Sequence, residues 1–256
     1  MENSITFLGT GGARLMVASQ LLASGGIWLN LNGTGIMIDP GPGCIVHAIR
    51  KKLNPEHLKA IVLSHRHLDH SADINIMVEA MTRGGFKPHG ILFAPADAFG
   101  AEPVIYSYLK KHLDAIELLE AGKSYTIDGV NLLTPVKHVH GVETYGMVFK
   151  TPEHTVAYIA DTKFFADLPR HYNSEVLILN VVMMEPHWPI DHLSINDVER
   201  IVTEVKPKAA ILTHFGMAVY QANPGEIARE ISTRTGVKVI AARDDMKFDL
   251  DKMEAV

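Results

Sequence analysis

The run Ser64-His65-Arg66-His67-Leu68-Asp69-His70 constrains this chain more than any other stretch of it. It follows directly on Ala60-Ile61-Val62-Leu63, an apolar segment that reads as a buried strand. Three imidazoles and a carboxylate at the end of such a strand cannot all face apolar core without large desolvation penalties. They can instead surround a cation, because imidazole nitrogen and carboxylate oxygen both ligate zinc, manganese or iron. The alternate spacing of His65 and His67 sends both rings to one side of an extended segment. Asp69 and His70, one turn later, reach toward a second position nearby.

Three later segments repeat the pattern of an apolar strand followed by Asp or His. Residues 131–136 lead to His138 and His140, residues 156–160 lead to Asp161, and residues 209–213 lead to His214. Open α/β sheets place their sites at the carboxyl ends of strands, so these donors have a common place to meet. His138 and His140 stand two residues apart, and strand spacing leaves both open as donors.

A chain of 256 residues with 47% apolar content can bury one large α/β core. No Pro/Gly/Ser-rich linker or charge run divides it, so a single domain over residues 1–256 is expected. The net charge of −5, from 24 basic and 29 acidic residues, argues against a partner such as long nucleic acid, which is held by a broad basic face. The pairs Lys51-Lys52 and Lys110-Lys111 are isolated and read as solvated helix faces. The first twenty residues lack a basic start followed by an apolar stretch, so no secretory leader is expected. The apolar run from Val176 to Met184 is too short to cross a bilayer. Cys44 is the only cysteine, which rules out an internal disulfide and reads as a small buried side chain. A cytoplasmic protein without a membrane partner is the expectation.

The order His-x-His-x-Asp-His, then His140, then Asp161-Thr162, then His214 resembles the metallo-β-lactamase superfamily over essentially the whole chain. Phe7-Leu8-Gly9-Thr10-Gly11-Gly12 and Ile38-Asp39-Pro40-Gly41 add to the match. Within the superfamily the ribonuclease Z and cyclic-phosphodiesterase branch is the more similar. The spacing of His140 from Tyr145-Gly146 resembles that branch and favours His140 over His138. Asp191-His192-Leu193-Ser194 resembles the branch's extra histidine ahead of the last ligand histidine.

The resemblance implies an α/β (α+β) fold, a four-layer αββα sandwich whose halves meet near residues 120–130. It implies two divalent metal ions, zinc first and manganese or iron as alternatives. His65, His67 and His140 would hold one; Asp69, His70 and His214 would hold the other, with Asp161 bridging. Asp69 and His192 are the catalytic candidates, His192 as a general acid whose charged form the adjacent Asp191 supports. Asp39 is expected to fix a ligand histidine through its other ring nitrogen. The implied activity is hydrolysis of a small anionic phosphodiester by hydroxide held between the ions; a homodimer is the one protein partner considered. Ribonuclease Z-like cleavage of RNA and iron-dependent redox chemistry on the same fold are the alternatives. Only 20 residues separate His140 from Asp161, too few for the RNA-gripping arm usual in ribonuclease Z. The sequence also departs from the family at Leu179-Asn180, where a His-Glu type pair is usual.

Periodicity and turn residues predict early strands at residues 5–8, 26–31 and 34–38, and a helix over 44–52. A second helix starting at Ser71 would carry Ile74, Met77, Val78 and Met81 on one face. A strand at 91–94, a helix at 104–113 and strands near 125–136, 145–150, 155–160 and 176–182 follow. Ser194 reads as an N-cap with Asp197 three residues on, for a helix to about Val205. The last helix is expected at 225–234 and the last strand at 238–241. The loops His187-Trp188-Pro189 and Arg83-Gly84-Gly85-Phe86 are candidates for a pocket rim, and Arg14 for contact with a substrate anion. His47, His57, His89, His112, His154 and His171 have no motif context and read as surface or ordinary polar residues.

Overall fold

The computed structural model describes residues 3–187 and 189–256, and Trp188 of the candidate rim lies outside them. Its first six strands are β1 (Ser4–Phe7), β2 (Ile27–Leu31), β3 (Thr34–Ile38), β4 (Leu58–Val62), β5 (Ile91–Ala94) and β6 (Ala115–Leu118). The chain then passes through residues 119–122 into a second sheet. That sheet consists of β7 (Lys123–Ile127), β8 (Val130–Thr134), β9 (Met147–Lys150), β10 (Thr155–Ile159), β11 (Val176–Asn180), β12 (Ala209–Thr213) and β13 (Lys238–Ala241), in sequence order across its width. The expected meeting point of the halves is where this crossing occurs.

The expected last strand is not the last. β14 (Met246–Asp249) and β15 (Glu254–Ala255) return to the first sheet, where β14 pairs with β1. β14 offers only Met246 and Phe248 to the core, two apolar residues that follow a polar run, so periodicity had no strand to detect.

Among the described residues seven α-helices lie along these strands: α1 (Arg14–Ser19), α2 (Cys44–Arg50), α3 (Leu68–Ser71), α4 (Ile74–Met81), α5 (Ile195–Val205), α6 (Met217–Gln221) and α7 (Pro224–Thr235). Three apolar layers define the sandwich. One lies between the sheets, where Ile5, Leu29, Ile36 and Val62 meet Leu132, Phe149, Ile178 and Ile211. A second joins the first sheet to α2 and α4, and a third joins the second sheet to α5, α6 and α7. Alternation explains how unbroken apolar strands serve two layers: Ala209 and Ile211 face the inter-sheet core, while Ala210 and Leu212 face the helices. The result is the expected αββα order.

Helix α4 buries Ile74, Met77, Val78 and Met81 as its spacing predicts, but it starts after Asp73. Ser71 instead closes α3, its hydroxyl donating to the carbonyls of Arg66 and His67 at 3.1 and 3.0 Å. The predicted helix at 104–113 is reduced to a 3₁₀ segment over Ser107–His112. Asn75 intercepts its start, donating to the Val104 carbonyl and accepting from the Tyr106 amide, so those backbone groups are taken before a helix can use them. Ser194 does cap α5, in a reciprocal box with Asp197.

Strands β3, β4 and β5 are mutually parallel, as are β10, β11 and β12, and β8 shares the direction of β10 through β9. The segments that follow β4, β8, β10, β11 and β12 therefore emerge along one edge of the sandwich. The Tyr145 amide donates to the Ser64 carbonyl at 3.1 Å there, tying the two sheets together.

Candidate metal centre

All seven expected ligands meet at that edge. Donor atoms of His65, His67 and His140 form one group, and those of Asp69, His70, Asp161 and His214 a second, each within 4.8 Å of one another. Asp161 stands between them. Its Oδ2 lies 3.4 Å from His70 Nε2, 3.8 Å from His65 Nε2 and 4.0 Å from His140 Nε2. Its Oδ1 is held by the Asn180 amide at 2.8 Å, which leaves Oδ2 as the atom facing both groups.

The surrounding hydrogen bonds set the tautomers. Asp39 accepts from the Ser64 amide and hydroxyl, both at 2.6 Å, from Tyr158 Oη at 2.9 Å and from His70 Nδ1 at 2.9 Å. Because the Ser64 hydroxyl is spent on Asp39, its oxygen accepts from His65 Nδ1 at 3.0 Å. His140 Nδ1 donates to the Asp191 carbonyl at 2.9 Å. In His65, His70 and His140, Nε2 is thus the nitrogen turned to the centre, the arrangement ligand histidines use.

Charge follows this geometry. Burial, then the nearby His70, pushes His65 well below the usual histidine range, so its ring is neutral with a free lone pair. Burial and His140 lower His67 in the same sense. For His70 burial works downward, but the carboxylates of Asp161, Asp69 and Asp39 outweigh it and raise the imidazole well above its ordinary value. Asp161 is held well below the carboxylate range by His214, His192 and His70 in spite of burial.

The donor set fits a cation. His65 Nε2 and His214 Nδ1 are buried without any hydrogen-bond partner, one in each group. Buried polar nitrogens are rarely left so. His70 Nε2 faces His214 Nε2 at 2.9 Å, and His140 Nε2 faces His67 Nδ1 at 3.1 Å. Each such pair needs a proton between two lone pairs, and a divalent ion serves there better. Gly12 leaves room for this, since a Cβ there would collide with the His214 ring. His214 and Asp39 both take left-handed backbone conformations, φ 60° and 49°, strain of the kind that persists at functional sites.

His138 joins neither donor group. Its Nε2 accepts from Tyr172 Oη at 2.6 Å and its Nδ1 donates to the Asp161 carbonyl at 3.2 Å, and burial pushes it down to about 4. It braces the backbone of Asp161 and leaves His140 to the centre.

His192 reaches the same cluster, with Nδ1 3.5 Å from Asp161 Oδ2. The expectation that Asp191 holds its charge is corrected: Asp161 is the carboxylate it faces, and Asp191 serves His140 through its carbonyl. Burial pushes His192 down to about 4, so its ring is neutral at pH 7.

The loop at 83–89 is also corrected. Lys87 pairs with Glu56 at 3.5 Å and His89 bonds His112, which places the loop beside the start of β4, at the opposite end from the motif that follows β4. Arg14 is exposed at the start of α1, whose preceding residue, Ala13, donates its amide to Asp69 Oδ2 at 3.2 Å. Tyr158 escaped the sequence reading as a site residue, and Asn180 entered it only through the departure from the family at Leu179-Asn180. Both lie in apolar strands, β10 and β11, where local pattern does not mark a polar atom turned to the site.

A β-lactamase superfamily domain model matches residues 34–215. The chain belongs to that superfamily. A relative from Methanocaldococcus jannaschii, named Uncharacterized protein MJ1374, is 33% identical over 98% of this chain and 96% of its own. Ribonuclease Z of Methanopyrus kandleri is 27% identical over 69% of this chain and 60% of its own. Among solved structures, the metallo-β-lactamase fold protein YhfI of Bacillus subtilis superposes with a TM-score of 0.81 at 21% identity, covering 97% of this chain and 100% of that one. The β-lactamase superfamily fold is the scaffold of metal-dependent hydrolases, and its members bind divalent metals. Asn180, at the end of β11, supports Asp161 with its side-chain amide.

Proposed function

We propose that this chain is a dinuclear metal-dependent phosphodiesterase acting on a small anionic phosphodiester. The observation that carries the reading is Asp161 Oδ2, which lies between two separate donor groups and also faces His192. A shared carboxylate is what two cations about 3.5–4 Å apart require. His65, His67 and His140 would hold one ion and Asp69, His70 and His214 the other, zinc being the choice that suits this donor set, with manganese or iron compatible. When bound, the ions supply a water acidified toward neutrality and positive charge for the phosphoryl oxygens.

The chain's own groups supply the rest. Asp39 and the Asp191 carbonyl keep His70 and His140 in the tautomer that presents Nε2. Asn180 keeps the Asp161 carboxylate from turning, and His138 holds its backbone carbonyl. His192 sits where a leaving oxygen would depart; the anionic phosphoryl group of a bound substrate favours the imidazolium, which then gives its proton to that oxygen.

Processing of transfer RNA is disfavoured in spite of the ribonuclease Z relative. The 20 residues between His140 and Asp161 hold β9, β10 and the short turns around them. Arg66, the cation inside the motif, is engaged by Asp97 at 3.3 Å and Glu102 at 3.5 Å. Among the described residues no helix is long and apolar enough to cross a membrane.

The test is a substrate panel on metal-loaded protein: bis-p-nitrophenyl phosphate, a thioester, a β-lactam and precursor transfer RNA. Hydrolysis of the diester with weak or no RNA processing is expected. Rapid lactam opening without diester cleavage would move the chain to another branch of the superfamily.

A further inference from the structure

Several large apolar side chains that neighbour residues of the centre along the chain are left in water. Leu68 stands between His67 and Asp69 and is 72% exposed; Val139 stands between His138 and His140 and is 47% exposed. Ile190, 43% exposed, precedes Asp191, whose carbonyl holds His140. Leu15, 74% exposed, is the second residue of α1, the helix anchored to Asp69 through the Ala13 amide. Val139 is fixed against the other side of the site: its amide donates to Thr162 Oγ1 at 3.1 Å and its carbonyl accepts from Lys163. Four separate segments converge on the centre, and each brings one apolar side chain out beside a site residue. Single exposed leucines are ordinary, but their coincidence around one polar centre is the anatomy of a ligand site, apolar walls about a few convergent polar groups. The charge agrees. Arg66 is paired with acids, which leaves Arg14, Lys137 and Lys163 as the exposed cations of these segments, too few for a polyanion.

Resting on the phosphodiesterase reading, we infer that the substrate is a phosphodiester carrying an apolar group, alkyl or aryl, next to the scissile phosphate, and that Leu15, Leu68, Val139 and Ile190 form the collar that receives this group. The phosphate meets the polar centre while the apolar group leaves water against the collar.

The test uses three p-nitrophenyl phosphodiesters that share a leaving group and differ in the other substituent: methyl, n-hexyl and phenyl. The n-hexyl and phenyl esters should exceed the methyl ester about tenfold in kcat/KM, the worth of roughly two fully buried methylenes. Leu68→Ser and Leu15→Ser should each lower the hexyl-to-methyl ratio, and Ile49→Ser, an exposed apolar residue of α2, should leave it unchanged. Calorimetry with methyl- and hexylphosphonate gives a second reading: tighter hexyl binding with a negative heat-capacity change is expected. Diester hydrolysis with equal kcat/KM across the series would overturn the inference and leave the phosphodiesterase reading standing. If no diester is cleaved, that reading fails; equal phosphonate affinities would then overturn the collar as well, while tighter hexyl binding would support it.

Discussion

Strand β10 has a cluster of histidine and carboxylate at each end, and the two are built on opposite terms. Before its start, His154 is buried with both ring nitrogens satisfied: Nδ1 on Glu175 at 3.1 Å and Nε2 on Asp251 at 2.9 Å. Glu175 in turn takes Lys208, and Asp251 takes Asn3. After its end, Asp161 sits among imidazoles of which two keep a buried nitrogen without any partner. The residue types are the same, but only one end is complete by itself. A histidine whose hydrogen bonds close within the chain is structural, whereas a cluster that leaves nitrogens open is arranged for something the chain does not carry. This corrects the reading of His154 as a surface or ordinary polar group: it ties Asp251, after β14 of the first sheet, to the start of β10 in the second.

Substitutions at the two ends should separate them. The largest effect belongs to His192→Ala. Metal content should be retained, and turnover of diesters with alkoxide leaving groups should fall by ~10²–10⁴, the usual worth of general acid catalysis. With p-nitrophenolate, already stable as an anion, the loss should be slight. A uniform loss across a leaving-group series would show that His192 delivers no proton; loss of metal would place it among the ligands.

The smaller effect lies at the other end. Burial pushes His154 down, but Asp251 and Glu175 outweigh it and raise its affinity for a proton. A raised folded value means that the cluster stabilises fully below the unfolded histidine value of about 6.5 and is lost as pH rises through the folded value. His154→Asn should therefore lower stability by about 1 kcal/mol between roughly pH 5 and 6.5, with the difference closing at alkaline pH and activity at neutral pH unchanged. Denaturant melts of both proteins across that range measure it. A gap that widens toward alkaline pH would mean that His154 is held neutral.

Much of this could be read from the sequence, and what could not has a physical reason. The motif at residues 64–70 and the strand-end donors announced themselves because polar groups that close an apolar run are costly to bury unless something binds them. The αββα order followed from the resemblance those residues carry. The support of the site was less legible. Tyr158 sits in an apolar strand whose alternation says only that it faces the inter-sheet core, and nothing local reveals that its hydroxyl ends on Asp39. Tyr172 reaches His138 from 34 residues away, a contact that exists only after the second sheet has formed. The lost helix at 104–113 has the same character, because Asn75 on α4 competes for its backbone from outside the segment. Local pattern fixes which groups are placed at an edge; tertiary packing decides which hydrogen bonds they close.

The central claim is that the open nitrogens at the end of β10 are completed by two ions, and elemental analysis after metal loading tests it most directly. The wild-type protein and His154→Asn should each carry two divalent ions per chain, and Asp69→Ala should lose the ion of the second group preferentially. At most one ion per wild-type chain with metal in excess, or equal losses from both groups in Asp69→Ala, would contradict it.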